Sequence, residues 1–222
     1  MTSSHATAAG AAGVLLAAAG SAILMGIITA EALYPADYTT NSNEISDLGA
    51  TRPPDSIILQ PSATIFDVTM IVTGLAVIAA AVLLFRTHDR RFLTTTVLLN
   101  GIGILGVGVF PGNVGAIHPW FALLAFIAGG LCGIAGGRAR TGPVSWFSYA
   151  LGTITLGTLV YALFGGLDAP LLDDLGDGGT ERWIAYPVVL WQVMFGGALM
   201  AGSLPATAAS ETRAAGESPE PR

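Results

Sequence analysis

The chain has no lysine, one cysteine and three histidines in its 222 residues. With Cys132 alone, no intramolecular disulfide can form, so the sequence does not reveal the redox compartment. Charged residues make up only 11% of the chain, against roughly a quarter in soluble domains. The formal net charge of −6 leaves no basic footprint for nucleic acid. Walker, dinucleotide and EF-hand spacings are all missing. One histidine, His118, falls among the acid-rich segments, whereas a catalytic zinc commonly takes several. That weighs against a zinc hydrolase, and the sequence calls for no metal and no cofactor.

What is present is apolar. Hydrophobic residues make up 52% of the chain. Six stretches, at 11–33, 62–85, 92–110, 117–136, 144–164 and 183–203, reach the length a bilayer requires, about 20 residues each. They use most of the chain and leave no room for a separate soluble domain. The expected fold is all-α, a six-transmembrane-helix bundle in residues 1–203. Residues 204–222, rich in Ala, Ser, Glu and Pro, predict a disordered cytoplasmic tail. The first stretch differs from a signal peptide, because residues 1–10 lack a basic n-region and the apolar run is too long. It predicts a true helix.

The few charges are sorted by loop. The segments RTHDRR (86–91) and GRARTGP (137–143) hold five arginines between them, which predicts that these loops and both termini are cytoplasmic. The outward segments 34–61, 111–116 and 165–182 carry most of the acids, with Arg52 and Arg182 as the exceptions. Halophilic adaptation and a GC-rich genome each explain an acidic chain without lysine. The outward bias of the acids favours the first.

Most side chains capable of chemistry gather at the outer face. The first outer loop carries Asn41, Asn43, Glu44, Ser46, Asp47 and Arg52. Ile45 and Leu48, three apart, predict one face of a short helix lying at the interface, with Glu44 and Asp47 sharing another. Paired carboxylates can hold a divalent ion or share a proton; a solvated acidic loop is the plainer reading. Phe110-Pro111-Gly112-Asn113 marks a stop and turn, and Pro119 after His118 suits a first helical turn. Asp168, Asp173, Asp174 and Asp177 fill the last outer loop. Thr180 is read as the N-cap of the sixth helix, ahead of Glu181 and Arg182, and Pro187 is expected to kink it. Within the spans, Glu31, Asp67, Asn100 and Gln192 are the notable polar groups, with Arg182 or Arg52 available to neutralise the acids. Ser46, His118 and an aspartate could be drawn as a triad, but no nucleophile elbow surrounds Ser46.

Gly129, Gly133 and Gly137 form a ridge at four-residue spacing, a packing surface for another helix of the chain or for a second copy in a homo-oligomer.

The runs NEISDLGA, VFPGNVG and GGTERWIAYPVVLW, with His118 between the last two, resemble the six-helix membrane proteins called the domain of unknown function 998 family. The resemblance extends over about residues 13–202, and with the acidic composition it suggests a haloarchaeal member. It implies the fold and membrane location and no established activity. Bacterial members of that family tend to carry an acid after the Phe-Pro turn, where this chain has Asn113.

Three readings stay open. In a structural or accessory subunit, the outer residues only tie loops together. In a pocket for a lipid head group or small polar ligand, Arg182 holds an anionic group, His118 exchanges a proton, and Glu44 or Asp47 orients it, with Asn43, Ser46, Asn113 and Glu181 completing the site. A transporter needs polar groups at the bilayer midplane, where Asn100 and Gln192 stand.

Overall fold

A computed structural model describes residues 3–87, 91–167 and 169–202. His88, Asp168 and the tail 204–222 therefore lie outside the described residues. The chain forms six helices: α1 (Ser3–Ala32), α2 (Ser62–Phe85), α3 (Arg91–Val109), α4 (Ile117–Ala139), α5 (Pro143–Gly165) and α6 (Leu172–Ala201). All six are long and apolar enough to cross a membrane, and no strand occurs among the described residues. The protein is an all-α, multi-pass membrane protein. Phe164, Trp146 and Trp120 are 86%, 75% and 71% exposed, as expected where lipid rather than water covers the surface.

The helices close into a ring. α1 packs between α2 and α6, α3 between α2 and α4, and α5 between α4 and α6, while α4 also reaches α6 directly. The α4–α6 contact leaves α5 at the periphery, with Ser148, Gly152, Thr155 and Leu159 as its buried positions. Lipid gives helices no hydrophobic reason to associate, so close backbone approach and interhelical hydrogen bonds have to hold them. The α4–α5 seam shows both. A Cβ on Gly133 would stand 2.6 Å from Gly152 Cα, and Gly152 in turn abuts the backbone of α4. Beside this seam, Trp191 Nε1 on α6 donates to Ser148 Oγ on α5 at 3.2 Å, and Thr155 Oγ1 donates to Ile184 O at 3.0 Å. The whole glycine ridge is used inside the chain: Gly129 faces Val188, Gly133 faces α5, and Gly137 faces Tyr149.

Helix α6 differs from the sequence expectation in three respects. A first turn begins at Leu172 and the long helix runs on after Gly176, so it starts before the expected Trp183. Thr180 is no N-cap; it is buried within the helix, and its Oγ1 has no partner. The backbone breaks unexpectedly at Gly176 (φ 69°, ψ 175°), while Pro187 stands inside the helix as the sequence placed it. The reason for all three lies in the first outer loop. Asn41 O accepts from the N–H groups of Gly178 (2.9 Å) and Gly179 (3.3 Å), while Asn41 Nδ2 donates to Leu175 O at 2.7 Å. One asparagine thus closes the short turn before Gly176 and caps the long helix after it. Glycine is needed at both contacts, because a Cβ on Gly176 would meet Asn41 O at 2.5 Å and one on Gly178 would meet Asn43 O at 2.0 Å.

The short helix expected from Ile45 and Leu48 exists as a 3₁₀ turn, Ile45–Leu48, but it does not lie flat at the interface. Ile45 is 5% and Leu48 0% exposed, so the turn is pressed into the outer end of the bundle as a plug. Asp47 accepts the Glu44 N–H at 3.0 Å at its start, and Ser62 Oγ donates to Leu48 O at 3.0 Å at its end.

Candidate functional site: a chamber beneath the outer plug

Beneath the plug lies a chamber of about 80 Å³, walled by α1, α2, α3, α4 and α6. That is room for several water molecules or a small solute, since one water occupies about 10–15 Å³ on this measure. Its walls are mostly aliphatic and aromatic, among them Ile23, Ile27, Met70, Ile104 and Phe126. Five polar side chains break that surface: Ser46, His118 and Glu181 from the outer end, and Asn100 and Gln192 from deeper in the bundle.

The depth follows from helix geometry. Glu181 and Gln192 both lie on α6, eleven residues apart, which is about 16 Å at 1.5 Å per residue. Asn100 is near the middle of α3, so the chamber extends from the plugged end of the helices toward their midpoint. Its floor is an amide pair. Gln192 Nε2 donates to Asn100 Oδ1 at 2.9 Å, and Asn100 Nδ2 donates to Ala125 O at 2.9 Å. Gln192 Oε1 is buried with no hydrogen-bond partner.

His118 is 2% exposed, and its Nδ1 lies 2.7 Å from Phe110 O, the carbonyl that ends the α3 turn. A carbonyl only accepts, so Nδ1 carries a proton, and in the neutral ring Nε2 is the acceptor. Neither Glu44 nor Asp47 orients this ring.

Glu181 and Arg182 are adjacent in sequence and turn different ways. Glu181 lines the chamber and accepts the Ile45 N–H, latching the plug to α6. Arg182 turns to the loop above. It donates to the carbonyls of Thr40 (3.0 Å), Asn43 (2.9 Å) and Gly178 (2.9 Å), to Tyr38 Oη (2.7 Å) and to Glu31 Oε1 (2.5 Å). Glu31 is thus one of the span acids that Arg182 was expected to neutralise, and the loop approaches the arginine backbone first, through the carbonyls of Thr40 and Asn43. Tyr38 completes the arrangement by donating to Glu44 O at 2.9 Å. Burial raises the Tyr38 hydroxyl's pKa, against the pull of Arg182, which keeps it a donor.

The remaining expected site residues lie around the plug rather than in the chamber. Glu44 pairs with Arg52 at 2.7 Å, where the arginine side chain is 60% exposed. Such exposed pairs contribute about 0–1 kcal/mol. Burial raises the Glu44 carboxyl's pKa from its ordinary value, and Arg52 draws it partly back. Asp47 is likewise raised by burial, offset by the N–H it accepts from Glu44. Asn43 contributes a carbonyl to Arg182 and its Oδ1 to the Thr39 N–H. Asn113 sits in the turn Gly112–Val114, outside the chamber lining. Asp67 also lies outside it, with one buried oxygen unpartnered beside Gly49. Among the described residues, no group of three or more His, Cys, Asp or Glu side chains could hold a metal ion.

A family model described as "Protein of unknown function (DUF998)" matches residues 16–198. The chain belongs to this family. The matched region runs from within α1 to near the end of α6, so the chamber, plug and Arg182 cluster of this DUF998 protein all fall inside it. No significant match was found among curated proteins or solved structures.

Proposed function

We propose that this protein is a membrane-embedded binder of a small ligand, taken up from the outer face into the chamber under the Ile45–Leu48 plug. The observation that carries this reading is the single cavity joining Ser46, His118 and Glu181 to Asn100 and Gln192. A purely structural subunit has use for the Arg182 network, but not for a void whose deepest acceptor, Gln192 Oε1, is unpartnered. Buried acceptors are normally satisfied, so an unpartnered acceptor on a side chain that lines the cavity marks a place for a donor. No catalytic step is assigned, because His118 Nδ1 is held by the Phe110 carbonyl and Ser46 Oγ donates to Glu44 rather than to the imidazole.

Site-specific photo-crosslinking in cells tests the reading. Benzoylphenylalanine at Phe126 would face the chamber, whereas at neighbouring Ile127, 40% exposed, it would face lipid. A discrete small-mass adduct at Phe126 and only bulk lipid at Ile127 is expected. Identical adducts at both positions would remove the support for a ligand.

The same reading needs an orientation. We propose that the α1 start and the α2–α3 and α4–α5 connections face the cytoplasm, on the weight of arginine there. Cys132 is fully buried, so thiols placed at Thr141 and Asp174, both exposed, can be read separately. In whole cells an impermeant maleimide should modify Asp174→Cys and spare Thr141→Cys. The reverse pattern would invert the topology.

A further inference from the structure

The polar atoms lining the chamber select a ligand by charge and by shape. At the outer end Glu181 has one backbone N–H, from Ile45, and no ion-pair partner among the described residues. The adjacent Arg182 makes no ion pair with it, since its Nη1 and Nη2 donate to Glu31, Tyr38 and the carbonyls of Thr40, Asn43 and Gly178. A carboxylate in such surroundings calls for a proton or a cation, because an unpaired buried charge costs several kcal/mol. Ser46 and His118, with Nε2 as its acceptor, line the same end. At the far end, Gln192 is 0% exposed and its Oε1 lacks a donor. Between the ends the walls are apolar. A bare metal ion fits poorly: the chamber holds one carboxylate and one imidazole, and its aliphatic walls would strip hydration without replacing it.

Resting on the chamber reading above, we propose that the ligand is a small organic ammonium with an apolar body and a second hydrogen-bond donor at its far end. The ammonium sits at Ser46, His118 and Glu181. The body lies along Ile23, Ile27, Met70 and Ile104, and the distal O–H or N–H donates to Gln192 Oε1. The spacing sets the length: about 16 Å between the two α6 positions, less a hydrogen bond at each end, leaves roughly 10 Å. A linear chain of about six carbons between the two donors spans that distance, at close to 1.3 Å per bond along the chain, in line with ordinary covalent geometry.

The test uses three straight-chain probes of equal carbon number on the purified full chain in detergent, with affinity read by calorimetry. Aminohexanol carries both ends of the proposed ligand, hexylamine only the ammonium, and hexanediol only the hydroxyls. Affinity should fall in the order aminohexanol, hexylamine, hexanediol, with about tenfold to a hundredfold lost when the ammonium is absent. Glu181→Gln keeps an oxygen to accept the Ile45 N–H, so the plug stays latched, and aminohexanol should then bind no better than hexanediol. Gln192→Leu should bring aminohexanol down to the level of hexylamine. The ranking on the parent protein decides the matter even if a variant folds poorly. Equal binding of hexanediol and aminohexanol would overturn the cationic assignment while leaving a chamber that binds ligands. Failure of all three to bind would overturn the proposal, and the Phe126 adduct would then judge the binding reading separately.

Discussion

Arg182→Met should unfasten the outer face and lower the stability of the bundle by about 3–5 kcal/mol, as measured when one member of a buried ion pair is removed. The arginine side chain is 9% exposed and donates five hydrogen bonds, four of them to groups before residue 44. Its loss strands the Glu31 carboxylate and two loop carbonyls, and methionine fills the volume without replacing a donor. Thermal unfolding in detergent should show an earlier transition and a lower yield of monodisperse protein. Adding Glu31→Gln should recover part of the loss by removing the orphaned charge. Arg52→Ala gives the contrast, because the pair it breaks is largely solvated and should cost about 1 kcal/mol or less. An Arg182→Met protein as stable as the Arg52→Ala protein would mean that the five contacts do not hold the cap.

The second large effect is expected at the α4–α5 seam. Leucine at Gly133 would drive side-chain carbons into Gly152 Cα and Ser148 O, which stand 2.6 and 2.7 Å from an added Cβ. A side-chain neighbour can change rotamer, but these are backbone atoms of a helix, so the helices themselves must separate. Overpacking in cores typically costs 1–3 kcal/mol, and about the upper end or beyond applies where nothing can rotate away. Gly152→Leu should fail in the same way, since the contact is reciprocal. Gly157→Leu, five residues further along α5 from Gly152 with open space around its Cβ position, should be near neutral. If Gly133→Leu and Gly157→Leu denature at the same temperature, the glycine contact is not what joins α4 to α5.

The six spans were readable because hydropathy integrates over some 20 residues and tolerates local error. Five helices begin and end within a few residues of expectation, except that α1 starts eight residues early. The start of α6 was not legible, since its cap is the backbone carbonyl of Asn41, more than 130 residues away, and a carbonyl leaves no mark in sequence. The pairing of Arg182 was half legible. Glu31 stood out as a charge in a span, but three of the five acceptors are main-chain oxygens. The chamber was hidden for a rotational reason. Glu181 and Arg182 look like one polar pair in sequence, yet successive helical residues point about 100° apart, so one enters the cavity and the other leaves it. Likewise Asn100 and Gln192 were visible as midspan polar groups. That they bond to each other, under the same void that Ser46 and His118 line, depends on helix orientations that no single-chain pattern supplies.

Because α6 contributes the last of the five helical walls of the void, together with the plug's latch and the amide that meets Asn100, the order of synthesis matters. Until the last helix enters the membrane, Asn100 has no Gln192 beside it, Glu31 has no arginine and the first outer loop has nothing to cap. The five earlier helices are therefore an unfinished vessel with polar groups turned toward lipid. The last helix closes the vessel and pairs those groups in a single step.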